Sequence, residues 1–377
     1  MSKAKRHVCS NGIIKQHPRK KKNCFMIRRG KTASKGSTPY GRQGLISSSN
    51  SISGTVTVVN KGGASLAMEH KFGQHLLRNP GILDKMMEAA NIQPHDTVLE
   101  IGPGTGNLTD RLLEKAKQVI AIEIDGRLAA EVKKRVQDKG RSHKFRLLEG
   151  DCLKVPFPAF DVCATNLPYN ISSPFVFKLL THRPRFKCAV VMFQKEFAER
   201  LVAQVGDPLY GRLAVNVQLY CKVHRVCKVD RKSFNPPPEV DSMVVRFVPH
   251  DEPIDVPFNE FDGLLRICFV RKNKTLRASF LHKSILRMLE ANFKVWCQEQ
   301  GVSSILGKDC MKILIEEVLT QETSLGERRA SKVSLDEYLE LLLAFNKRGV
   351  HFSNSAFEEG TVIEHQDEEE EDDGMVI

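Results

Sequence analysis

The stretch Thr97-Val-Leu-Glu-Ile-Gly-Pro-Gly-Thr-Gly106 constrains this chain more than any other. A short run of apolar strand formers breaks into three glycines at alternate positions. A helical pattern with Leu108, Leu112 and Leu113 follows. That order predicts a strand, a tight turn and a helix, the opening unit of an α/β fold. The alternation then continues. Residues 118–125 read as a second strand, 127–137 as a helix, and 145–151, 160–165 and 188–193 as further strands. Strands alternating with helices predict a parallel sheet covered on both faces. Residues 241–248, after the Pro236-Pro237-Pro238 turn, read as the strand that closes this domain.

Beyond a linker at 249–257 the periodicity turns helical. Residues 258–296 are rich in Leu, Arg and Lys, and Ser334-Leu-Asp-Glu337 is a capping-box pattern opening a last helix through Phe345. At roughly 150 residues per domain, 377 residues predict two domains. We expect an arm over 1–67, an α/β domain over 68–249, a helical domain over 250–353 and a tail over 354–377. The ends follow from charge. The net +12 is unevenly spread: residues 1–68 hold 14 Lys and Arg with no acidic residue, and 358–377 hold ten acidic residues with no Lys or Arg. A basic disordered arm and an acidic disordered tail are expected. The arm fits a transit peptide. Its Pro18-Arg-Lys-Lys-Lys22 cluster equally fits nuclear import or RNA contact. No apolar run reaches the ~20 residues of a membrane span. Ten scattered cysteines without a CxxC pair point to reduced, buried thiols, with neither a disulfide framework nor a metal site.

Gly102, Gly104 and Gly106 let a ligand approach the backbone at the strand end. Glu123, at the end of the second strand, can accept both hydroxyls of an adenosine ribose. Asp151, ending the third strand, can accept the exocyclic amine of an adenine. A dinucleotide such as NAD and S-adenosylmethionine both use this layout. The NAD fingerprint wants a third glycine where this chain has Asn107. The acidic surroundings suit a sulfonium better than two phosphates, so S-adenosylmethionine is favoured.

Asn166-Leu167-Pro168-Tyr169 stands at the end of the fourth strand, the edge where open α/β sheets bind ligands. The N6 nitrogen of adenine is a poor nucleophile because its lone pair is delocalised into the ring. Two acceptors on its N–H bonds would localise that pair: the amide oxygen of Asn166 and the backbone carbonyl of Leu167 or Pro168. Tyr169 offers a flat face for an unstacked base. No strong general base is needed, so catalysis would rest on alignment and polarisation.

Here a family resemblance becomes specific. Residues 71–248 resemble the rRNA adenine N6-dimethyltransferases, and 258–352 resemble their small helical domain. The matching motifs are Phe72-Gly-Gln-His-Leu-Leu77, Glu100-Ile-Gly-Pro-Gly-Thr-Gly106, Glu123-Ile-Asp125, Gly150-Asp151, Asn166-Leu-Pro-Tyr169 and Phe234-Asn-Pro-Pro-Pro-Glu-Val-Asp-Ser242. Phe269-Val-Arg-Lys-Asn-Lys-Thr-Leu276 and Asn346-Lys-Arg-Gly-Val-His-Phe352 are similar to the eukaryotic branch acting on cytosolic small-subunit rRNA. Asn170 stands where eukaryotic relatives usually carry Gln and bacterial ones Asn. The resemblance implies a Rossmann-like class I S-adenosylmethionine-dependent methyltransferase domain with a smaller C-terminal helical domain. It implies Gln74, His75, Leu77, Gly102, Gly104, Gly106, Glu123, Asp151 and Asn166 at the cofactor, and Phe234 on the other side of the base stack. The implied product is a pair of adjacent N6,N6-dimethyladenosines near the 3′ end of small-subunit rRNA.

Seven cations between Arg266 and Arg287 (Arg266, Arg271, Lys272, Lys274, Arg277, Lys283 and Arg287) fit contact with RNA phosphates. The expected partners are small-subunit rRNA and the pre-ribosomal particle, met by a monomer. Two rivals stand beside the enzyme: an RNA-binding assembly factor on a methyltransferase fold, and an NAD-dependent oxidoreductase. The motifs similar to the cytosolic branch favour the nucleolus, with the mitochondrion as the alternative.

Overall fold

The computed structural model describes residues 56–59, 65–68, 75–252, 254–301 and 309–352. The tail expected over 354–377 and most of the arm lie outside them. Within the arm, Val56–Val59 and Ser65–Met68 pair as antiparallel strands.

Seven strands form the main sheet: β1 (Thr97–Ile101), β2 (Gln118–Glu123), β3 (Phe145–Glu149), β4 (Val162–Asn166), β5 (Cys188–Gln194), β6 (Cys221–Val229) and β7 (Ser242–Pro249). Their spatial order is β3-β2-β1-β4-β5-β7-β6. The first five run parallel, in registers such as Val98 against Val119 and Thr165 against Val191. The all-parallel expectation needs a correction at β7, which is antiparallel to both neighbours. No α-helix separates β6 from β7, and a connection without a crossover can only return the chain in the opposite direction. β6 was not legible in the sequence. It is the edge strand, and its exposed Lys222, His224 and Arg225 break the apolar run. Such charges are how edges resist further pairing.

Helices cover both faces. On one face, α1 (Pro80–Ala90), α2 (Asn107–Lys115) and α3 (Gly126–Asp138) bury Met86, Leu112 and Val132 against Val98, Val119 and Val190. On the other, α4 (Ser172–Thr181), α5 (Lys195–Leu201) and α6 (Arg212–Tyr220) pack Phe175, Ala198 and Val217 against Leu99, Val191 and Phe247. That second apolar cluster continues without a break into α7 (Phe258–Val270), α8 (Leu276–Phe280), α9 (Lys283–Glu299), α10 (Cys310–Glu317) and α11 (Leu335–Lys347), through Phe261, Phe280, Phe345 and Phe352. The capping box is formed: Ser334 and Glu337 each bond the other's backbone amide at the start of α11.

The terminal motif 346–352 is held by close packing. A Cβ on Gly349 would stand 2.5 Å from the Trp296 ring, and one on Gly263 2.5 Å from the Phe352 carbonyl. The eight cysteines in the described residues are free. Burial pushes the thiols of Cys152 and Cys221 up to about 11 and about 12, so both stay protonated at neutral pH.

Candidate active site

β1, β2 and β4 end at the same edge of the sheet, and the turns that follow them enclose one cleft. Its walls include His75, Leu77, Gly102, Gly104, Glu123 and Asn166. Leu167, Pro168 and Tyr169 complete the far side.

The glycine turn has a backbone reason. Gly102, Gly104 and Gly106 all take positive φ, at 62°, 56° and 84°. At Gly104 space is tight as well, since a Cβ would meet Leu76 Cδ2 at 3.0 Å. The turn is braced from outside the cleft. Arg135 donates to the Thr105 carbonyl at 2.7 Å and to the Asn107 amide oxygen at 3.0 Å. Asn107 in turn donates to the Leu77 carbonyl at 3.1 Å. Asn107 is therefore more than the residue that replaces a third glycine. It ties the turn to the opposite rim, and no periodicity in the sequence announces that contact.

Glu123 is buried at the end of β2. Its two oxygens accept from the amides of Gly104, at 3.4 Å, and Asp125, at 3.0 Å. Burial pushes its pKa up, opposed by those two hydrogen bonds. Each oxygen keeps a lone pair for a further donor. Ile124, half exposed beside it, adds an apolar wall. Glu100 lies deeper. It accepts from the Thr109 hydroxyl at 2.7 Å, and burial pushes its carboxyl up to about 8.

At the reacting corner, Asn166 donates its Nδ2–H to the His75 carbonyl at 3.0 Å. That bond assigns the ends of the amide: Oδ1 is the acceptor left for a ligand. Pro168 puts its carbonyl 3.3 Å from the Ile171 amide, which uses one of its two lone pairs. The Tyr169 hydroxyl shares a 2.6 Å hydrogen bond with Ser242, and its ring centroid lies 5.8 Å from that of His75, at 26° between planes. Burial pushes the tyrosine pKa up, so the phenol stays neutral. The His75 ring is fixed as well. Its Nδ1 sits 3.0 Å from the Pro236 carbonyl, which only accepts, so Nδ1 carries the hydrogen.

A family profile for ribosomal RNA adenine dimethylase matches residues 66–300. The chain belongs to that family. It is 50% identical over 283 residues to a probable dimethyladenosine transferase of Drosophila melanogaster, covering 75% of this chain and 92% of the relative. A dimethyladenosine transferase of Saccharomyces cerevisiae is 46% identical over 285 residues, covering 74% and 89%. Among solved structures, a dimethyladenosine transferase from Plasmodium falciparum is 52% identical with a TM-score of 0.69, covering 74% of this chain and all of that one. The 23S rRNA methyltransferase ErmE is 26% identical with a TM-score of 0.50, covering 72% and 99%. The sheet of this dimethylase is thus the class I methyltransferase fold with its reversed penultimate strand.

In this dimethylase the residues expected at the site do not all share one place. His75, Leu77, Gly102, Gly104, Glu123, Asn166, Leu167, Pro168 and Tyr169 line one cleft. Gly106 caps α2 just behind them, packed against Val132 and Arg135. Gln74 lies outside the described residues. Asp151 follows β3, and its Oδ1 accepts from the Leu153 amide at 2.9 Å, which fixes the turn there. Phe234 is a correction. It is 4% exposed and packs in the core with Leu77, Val229 and Val244, so its ring is not offered to a base. An aromatic residue in a motif signals burial as readily as stacking. Its backbone is what serves the site, because Phe234 and Asn235 pair with Leu77 and Leu76 to build the rim. The basic segment also divides. Arg266, Lys272 and Arg287 line a groove on the helical side, while Arg277 pairs with Glu316 and Glu327.

Proposed function

We propose that this rRNA adenine dimethyltransferase transfers methyl groups from S-adenosylmethionine to N6 of two adjacent adenosines near the 3′ end of small-subunit (18S-type) rRNA, and that it acts in small-subunit maturation. The observation that carries the reading is the Asn166–His75 bond, which turns the Asn166 amide oxygen into a fixed acceptor at the cleft edge.

The residues present fit the cofactor. Gly102 and Gly104 form a wall without side chains, Glu123 supplies a carboxylate for ribose hydroxyls, and Ile124 supplies an apolar face for an adenine. When bound, S-adenosylmethionine supplies a methyl group made electrophilic by its sulfonium. The protein does the rest by positioning. Asn166 Oδ1 and a carbonyl of Leu167 or Pro168 accept the two N6–H bonds, which localises the nitrogen lone pair. Tyr169, pinned by Ser242, supports the base face. The proton lost after transfer is acidic enough to leave to water. After the first methyl, N6 keeps one hydrogen, so one acceptor goes unused and the ring contact carries more of the binding.

Purified protein, methyl-labelled cofactor and immature small subunits test this directly. Label is expected in N6,N6-dimethyladenosine at two neighbouring positions. Label in another nucleoside, or none, overturns the substrate assignment. A tagged copy separates the nucleolar reading from the mitochondrial one, the latter marked by import and clipping near residue 60.

A further inference from the structure

A groove runs between α5–α6 and the helices α7 and α9. Arg200, Arg212, Arg266, Lys272 and Arg287 line it over an apolar floor that includes Phe177, Phe269 and Met288. Two carboxylates face these five cations. Asp262 is shared by Arg212 and Arg266, at 2.8 and 2.9 Å, and Glu196 is on the wall. Arg200, Lys272 and Arg287 are exposed and form no ion pair among the described residues. A surface of this kind attracts a polyanion.

The chain itself carries one, and the described residues that precede it pack beside this groove. Asn292, on the groove wall, donates to the His351 carbonyl at 3.0 Å. The Phe352 amide donates to Glu260 at 3.1 Å. Its carbonyl packs against Gly263, one helical turn before Arg266. Phe352, the last described residue, therefore packs beside the helices that form the groove. Twenty-five residues follow Phe352 in the sequence, and 358–377 contain ten carboxylates and no Lys or Arg. At ~3.3 Å per extended residue, that segment has ample reach to run along the groove.

We propose that the acidic segment 358–377 occupies this basic groove in the RNA-free enzyme and must be displaced when RNA binds. The tail acts as a tethered competitor, its effective concentration set by the length of its linker and not by the bulk. RNA that engages the same cations has to remove it, so the tail filters out weakly held RNA while a target with contacts elsewhere still binds. The docking stands on charge and placement. Only its consequence rests on RNA being the substrate.

Two measurements on the full-length protein decide it, and neither needs methyl transfer. Carbodiimide coupling in low salt without RNA is expected to link Lys272 to a carboxylate within 358–377. Binding of a fluorescent 20-nucleotide poly-uridylate in 50 mM salt is expected to be about tenfold tighter for a chain ending at residue 353, with the gain fading in 500 mM salt as screening shortens the interaction. Arg200→Ala, Lys272→Ala and Arg287→Ala together should erase the difference between the two lengths. Equal affinities of long and short chains in 50 mM salt, or links that avoid the groove, overturn the proposal. If the triple variant weakens RNA binding while tail removal changes nothing, the groove serves RNA alone.

Discussion

The hydroxyls of Tyr169 and Ser242 lie 2.6 Å apart, so the first residue of the reversed strand β7 holds the ring of the reacting corner. Ring and hydroxyl therefore have separable roles. Tyr169→Phe keeps the ring and leaves the buried Ser242 oxygen without that partner, a cost of about 1–3 kcal/mol in stability. Its kcat should fall less than about tenfold, a loss smaller than a missing base stack produces. Tyr169→Ala removes the stacking face and should cost roughly 10- to 100-fold in kcat/KM for RNA. Melting curves and steady-state methyl transfer separate the two effects.

Asn166→Ala removes the oriented acceptor. Loss of one polarising contact of this type lowers kcat by about 10²–10³. Asn166→Asp tests orientation, because the carboxylate keeps acceptor oxygens but cannot donate to the His75 carbonyl. It should be as slow as the alanine variant. If Asn166→Asp retains wild-type turnover, the His75 bond does not set the geometry.

Gly104→Ala places a Cβ at positive φ, 3.0 Å from Leu76. Strain of about 1 kcal/mol should lower Tm by roughly 1–2 degrees in a folded body of this size. The larger effect should be a KM for S-adenosylmethionine raised at least about tenfold, because the new methyl group stands in the cradle. Cofactor titration by calorimetry reads the binding step alone.

Glu100 gives the stability a pH dependence. Its buried carboxyl is raised from 4.5 to about 8, so the folded protein keeps a proton that the unfolded chain releases. Stability contributed by this group is complete below about pH 4.5, falls as pH rises toward 8 and levels off above. The slope is at most about 1.4 kcal/mol per pH unit. Glu100→Gln should flatten that part of the curve, measured by urea midpoints at pH 5, 6.5 and 8.

Phe234 separates the two readings of its motif. As a core residue, Phe234→Leu should lower Tm slightly and leave kcat per folded molecule within about twofold, while Phe234→Ala should cost about 3–5 kcal/mol in stability. A kcat drop in Phe234→Leu at unchanged Tm would restore the stacking role.

What could be read in advance followed burial. β1, β2 and β5 are covered on both faces and appear as apolar runs, and the glycine turn and Asn166–Tyr169 sit where such strands must end. Strand direction leaves no hydrophobic trace, so the reversal of β7 had to come from the structure. β6 was hidden by the charges that protect an edge. Asn107 and Leu76 act through contacts with partners far away in the chain, which no local pattern encodes. Phe234 was misread because its ring and its backbone have different jobs.

One side of the cleft rim is made where residues about 160 positions apart meet, at the His75–Pro236 bond and the short pairing beside it. Contacts so distant in sequence carry a high closure entropy and are among the later ones to form. A half-made molecule can thus own the five parallel strands and a complete glycine turn and still lack a working mouth. Competence to modify RNA is then reserved for chains that have been synthesised past β7, and a nascent or clipped fragment is silent by construction.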